Sequence, residues 1–216
     1  MNKPTTVVTV PHYKDRALKL FIGVFVVGFV FYIVLTLAAS LTSITDERIA
    51  AFLSGQLVIT ISGTLYGFAV IFFRKTSLKD AFNEMKRSAV PLVKTMLLVV
   101  FFTLIGYGCL AIPGIVATLL LFFVPFVVAI EKKGSFQALK RSCKLFTYVW
   151  LSLIATIVAF YLLFLLVTVF FSFAFAENTN VAQVMSGTVL FPLETYAFYR
   201  LYMRARKKES EGIKNG

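Results

Sequence analysis

From Leu92 to Ile130 the chain runs 39 residues with a single charge, Lys94. A helix rises about 1.5 Å per residue and bilayer hydrocarbon is about 30 Å thick, so the run is too long for one crossing. It has to turn back on itself, and Ala111-Ile112-Pro113-Gly114 supplies the Pro-Gly punctuation. Two spans are expected, about 92–110 and 113–130, joined by an uncharged turn.

Four more apolar stretches can be read: 20–41, 49–73, 148–176 and 181–202, the last holding one acid, Glu194. The chain is 59% hydrophobic and 15% charged, against about a quarter charged in soluble domains. The expected fold is all-α: a polytopic membrane protein of about six transmembrane helices, with one transmembrane domain over 1–208 and a polar tail at 209–216. The first run is longer than the 7–15 residues of a signal h-region and lacks an evident cleavage site, so it reads as a retained anchor.

A net charge of +12 could suit nucleic acid, but the positions of the charges oppose that. Of the 22 Lys and Arg, all but Arg48 fall in alternate connections: before the first span, after the second, after the fourth and after the sixth. Under the positive-inside rule both termini face the cytoplasm. The same count requires an even number of crossings between residues 94 and 132, which supports the turn at Pro113. Tyr148 and Trp150, with Tyr196, Tyr199 and Tyr202, stand where an interfacial aromatic belt would.

The basic connections are patterned. Ser77 and Asp80 have capping-box spacing, and Leu78, Ala81, Phe82, Met85 and Ala89 then recur on one helical face. An amphipathic helix over about 77–90 is expected at the inner interface, and a second over about 135–146. Lys133-Gly134-Ser135-Phe136 and Lys140-Arg141-Ser142 echo Lys75-Thr76-Ser77-Leu78 and Lys86-Arg87-Ser88. Ser77 and Ser135 are 58 residues apart, which suggests parallel out-and-back repeats, with a weaker copy at Tyr13–Lys19.

The run Ala111-Ile112-Pro113-Gly114-Ile115-Val116, the Phe-rich span to Pro125, Glu131–Phe136, Ala138–Ser142 and Tyr199–Arg204 together resemble the YciC-like bacterial integral membrane proteins. More remotely, they are similar to the membrane domain that precedes some glycerophosphodiester phosphodiesterases. The resemblance covers roughly Arg74–Lys208 and implies a polytopic helical protein of the bacterial inner (cytoplasmic) membrane. Spans take up the chain, so no catalytic barrel is expected and phosphodiesterase activity is not carried over.

Catalytic and metal chemistry are disfavoured by the counts. There is one histidine, His12, and there are two cysteines, Cys109 and Cys143, expected on opposite sides of the membrane. Zinc sites need about four N/S ligands, or three and a water, and a Ser-His or Cys-His pair would have to use His12. No enzyme activity and no cofactor are expected.

The candidate functional residues are few. Glu194, two residues after Pro192, is a candidate intramembrane acid; the bland alternative pairs it with Arg200 near the inner interface. Lys86, Arg87, Lys140, Arg141 and Lys144 are candidate contacts for anionic headgroups on the cytoplasmic side. Pro113, Pro125 and Pro192 are candidate kinks. The leading expectation is a non-enzymatic protein acting through lipid, a membrane-protein partner or a second copy of itself. The alternative is a small transporter of a lipid, peptide or solute that uses Glu194. No nucleic-acid partner is expected.

Overall fold

The computed structural model describes residues 61–72, 74–75, 77–174 and 179–214, and the regular elements among them are all helices. In chain order they are α1 (Ile61–Phe72), α2 (Leu78–Cys109), α3 (Ala111–Leu120), α4 (Val124–Glu131), α5 (Ser135–Ala174) and α6 (Thr179–Lys214). The expected span at 20–41, most of that at 49–73 and the repeat copy at Tyr13–Lys19 lie outside the described residues.

Three described stretches are long and apolar enough to cross a membrane: Lys79–Cys109, Ile112–Glu131 and Ser135–Phe173. α6 is long enough, but Gln183, Ser186, Thr188, Glu194 and Thr195 dilute its apolar part. Ser186, Thr188 and Thr195 are buried there. α5 shows the opposite distribution, since Leu151, Tyr161, Leu162, Leu166, Phe170 and Phe173 are all exposed. A helix this apolar on its outer face is suited to hydrocarbon and not to water.

Ser77 and Ser135 each stand at the start of a long helix. At Ser77 the cap comes from the backbone: its carbonyl accepts from the Ala81 N–H at 3.0 Å, and its side chain makes no capping bond. The amphipathic segments expected as separate interfacial elements are instead the first turns of these helices. α2 continues unbroken through Pro91, and α5 runs 40 residues, or about 60 Å. Likewise α6 continues past 208 to Lys214, and Glu209, assigned from sequence to the tail, is buried.

The turn after α2 is tight. Leu110 is extended, and α3 returns at once along α2. Pro113 sits in the first turn of α3, where its missing N–H leaves no bond unmade. A Cβ on Gly106 would meet Gly114 Cα at 3.0 Å and the Pro113 carbonyl oxygen at 3.1 Å, whereas one on Gly108 would meet nothing within 4 Å. The α2–α3 hairpin therefore depends on Gly106 for backbone contact, as membrane helices often do on glycine.

The return limb is two helices, not one kinked span. α3 stops at Leu120, α4 starts at Val124, and Pro125 occupies the opening turn of α4. A break inside an apolar span exposes backbone groups that hydrocarbon cannot satisfy. Ser142 of α5 repairs it, because its hydroxyl donates to the Leu120 carbonyl at 2.7 Å and accepts the Phe123 N–H at 3.1 Å. Phe123, Phe126, Phe191, Phe198 and Tyr202 then pack as buried aromatic side chains around the break. Tyr66 stacks on Phe191 with ring centroids 5.3 Å apart, and Phe122 meets Phe198 at 4.6 Å.

Two glycines two residues apart thus make a sharp comparison. Gly106→Ala should lose about 1–3 kcal/mol through overpacking against backbone, while Gly108→Ala should be neutral or stabilising. Thermal unfolding of both variants in detergent, side by side, measures the difference.

Candidate functional site

α2 begins, α4 ends, α5 begins and α6 ends at the same pole of the molecule, opposite the uncharged Leu110 hairpin. Antiparallel packing therefore gathers the basic clusters of separate connections into one place. Three glutamates organise them.

Glu131 closes α4. Its Oε1 accepts the Tyr202 hydroxyl at 2.7 Å and lies 3.5 Å from Arg206 Nε. Its Oε2 takes Lys133 Nζ at 3.0 Å and Arg141 Nε at 3.2 Å. Arg141 uses its other edge on Glu209, which also receives Lys144 Nζ at 3.0 Å. This planar fork suits arginine, which presents several donors in fixed geometry. The cluster ties α4, α5 and α6 together across residues that are 10 to 75 positions apart.

Burial disfavours the charged form of Glu209, but hydrogen bonds and charge from Arg141 and Lys144 outweigh it and hold its carboxyl below the usual glutamate range. A depressed carboxyl stabilises the fold above its unfolded pKa, and that contribution disappears as the pH falls through the folded value.

Glu84 of α2 organises the neighbouring group. Its Oε1 is 2.6 Å from Lys132 Nζ, and its Oε2 is 3.8 Å from Lys75 Nζ. Lys132 has φ 54° and ψ 32°, the left-handed conformation that ends α4. For a residue with a side chain this conformation costs about 1–2 kcal/mol. Arg74 donates from Nη1 to the Ile130 carbonyl at 3.4 Å, at the same helix end. Two cavities flank Glu84 and share Lys132. One, of about 170 Å³, is lined by Arg74, Lys75 and Ile130; the other, of about 130 Å³, by Arg87, Ser88 and Lys133.

The expected headgroup contacts separate on this geometry. Arg87 lines the second cavity. Lys86 lies over the Phe82 ring, 5.1 Å from its centroid. Lys140 is exposed and makes no ion pair among the described residues. Arg141 is enclosed by its two glutamates, so it is a structural cation and not a free contact. Lys144 pairs with Glu209 while remaining half-exposed.

Glu194 takes a hydrogen bond from Tyr66 of α1. Its suggested partner Arg200 instead lies over the Tyr196 ring at 5.9 Å. Pro192 lies inside continuous α6, so it does not break that helix. Tyr202, placed by sequence in an interfacial belt, is fully buried with its hydroxyl on Glu131. Cys109 at the hairpin and Cys143 on α5 are both free thiols.

Glu84, Glu131 and Glu209 escaped the sequence reading because they sit inside basic clusters, where counting Lys and Arg hides them. The available signal was an isolated acid among cations at the end of an apolar run, as in Glu131-Lys132-Lys133. No family model matches the chain, and no solved structure matches it.

Two outcomes follow from the ion cluster. Arg141→Ala leaves two enclosed carboxylates short of a cation and should cost about 3 kcal/mol or more, while Lys140→Ala should stay within about 0.5 kcal/mol of wild type; chemical unfolding in detergent checks both. Separately, acid titration should destabilise the wild type as pH falls below the ordinary glutamate value of 4.5. In Glu209→Gln that increment should be missing, as read from Tm against pH.

Proposed function

We propose that this is a non-enzymatic, multi-pass helical protein of a bacterial cytoplasmic (inner) membrane, with both termini on the cytoplasmic side. It works through contacts between its charged pole and anionic lipid headgroups or a protein partner. The observation that carries this reading is the gathering of basic residues from four segments at one pole, with an uncharged hairpin at the other. The positive-inside rule puts that basic pole in the cytoplasm, and surface potential favours anionic lipid there. The resemblance to YciC-like proteins supports the bacterial membrane assignment.

The two free cysteines test the orientation, because they stand towards opposite poles. In intact spheroplasts, a membrane-impermeant maleimide should modify Cys109 in Cys143→Ser and spare Cys143 in Cys109→Ser until the membrane is opened. The reverse pattern would overturn the orientation. Native mass spectrometry of protein extracted with its own lipids should retain anionic lipid in preference to zwitterionic lipid.

A second reading, a small transporter using Glu194, is favoured by one observation. Next to this acid, Thr195 Oγ1 is buried without a hydrogen-bond partner among the described residues. Vesicle flux that is unchanged in Glu194→Gln would remove that role.

A further inference from the structure

We infer that the cleft around Glu84 is a discrete binding site for one phosphomonoester group carried by an anionic lipid. The inference rests on the membrane reading above and assigns its lipid contact to particular residues. The cleft is built from three parts of the chain: the end of α1 with Arg74 and Lys75, the first turns of α2 with Arg87, and the α4–α5 connection with Lys132 and Lys133.

Its charge does not balance internally. Five cations line the two cavities, and one carboxylate, Glu84, lies among them. Glu84 takes Lys132 and Lys75, and Lys133 goes to Glu131. Arg87 adds its charge to those acting on Glu84 but makes no close ion pair among the described residues, and the one hydrogen bond given by the Arg74 guanidinium goes to a carbonyl. A guanidinium has five N–H donors and an ammonium three, so donors exceed acceptors by a wide margin. A phosphomonoester brings close to two negative charges and three acceptor oxygens. It fits that surplus better than the single charge of a phosphodiester.

Size and surroundings choose the carrier. The cavities, at about 170 and 130 Å³, are below the roughly 300–1,000 Å³ of pockets for whole small molecules. Each has room for a phosphoryl group and is small for a whole nucleotide. Pro91 and Val128 line the second cavity, so part of its wall is apolar. An acyl chain can leave the cleft over that apolar wall, away from the cations. Glu84 keeps Lys132 and Lys75 in place when no phosphate is bound, and its own charge opposes the ligand.

The test is native mass spectrometry of detergent-solubilised protein titrated with phosphatidic acid or phosphatidylglycerol. The cleft pair Lys75→Gln/Arg87→Gln is compared with Lys79→Gln/Arg204→Gln, which removes equal charge from exposed positions outside the cleft. Wild type should hold one phosphatidic acid in preference to phosphatidylglycerol. The cleft pair should weaken it about tenfold or more, with the control pair nearly unchanged. Glu84→Gln should tighten binding, a change of opposite sign that loss of fold cannot imitate. Weak competition by inorganic phosphate supports a lipid carrier, and competition as strong as the lipid's own binding overturns it. Equal losses in both pairs, or equal retention of the two lipids, would overturn the cleft and leave the broader headgroup reading standing. Absence of any anionic preference would overturn both.

Discussion

The Glu131 carboxylate, at the last residue of α4, takes hydrogen bonds or charge from Tyr202, Arg206, Lys133 and Arg141. A carboxylate held this far from water needs such partners, since unpaired it would be neutralised or would unfold its surroundings. Meeting that need fixes the end of α4 against α5 and α6 together. It leaves Arg141 a free edge for Glu209, which extends the lock along α6. The left-handed turn at Lys132 follows immediately and carries its ammonium to Glu84 on α2. Most of the charged pole is thus assembled outward from one short helix end.

A second constraint operates within the apolar part. Hydrocarbon offers nothing to an open backbone group, yet the return limb is broken between Leu120 and Val124. Ser142 fills the gap from a neighbouring helix as both donor and acceptor. Ser142 and Arg141 are consecutive on α5, so one turn of that helix supports both the broken span and the ion cluster. The break also frees Phe122 and Phe123 to turn into the aromatic core with Phe198 and Tyr202.

The proposed lipid contacts belong to what this assembly leaves unsatisfied. Glu131 and Glu209 absorb Arg141 and Lys144, two residues that look from the sequence like available cations. Arg74 and Arg87 are left with donors to spare beside two small cavities. Membrane proteins attract anionic lipid through many exposed lysines, but convergence from three segments distinguishes this cleft from a merely basic surface.

The helical class, three membrane-length apolar stretches and the turn near Pro113 were legible in the sequence because they depend on local quantities: hydropathy, residue period and the missing N–H of proline. Long-range pairings were not. Nothing local says that Glu131 will meet Tyr202, 71 residues later, or that the amphipathic segment from Leu78 and the span after it form one continuous helix. An amphipathic pattern looks the same whether its apolar face meets a lipid interface or another helix. The same ambiguity hid Glu209, which reads as tail but is buried and paired with Arg141 and Lys144 of α5. Among the described residues, sequence by itself determined where the three membrane-length apolar helices form and which ends are basic, since these follow from solvation of each segment alone. Tertiary structure decided which charges cancel and which remain, because ion pairing depends on distances between segments that only packing sets.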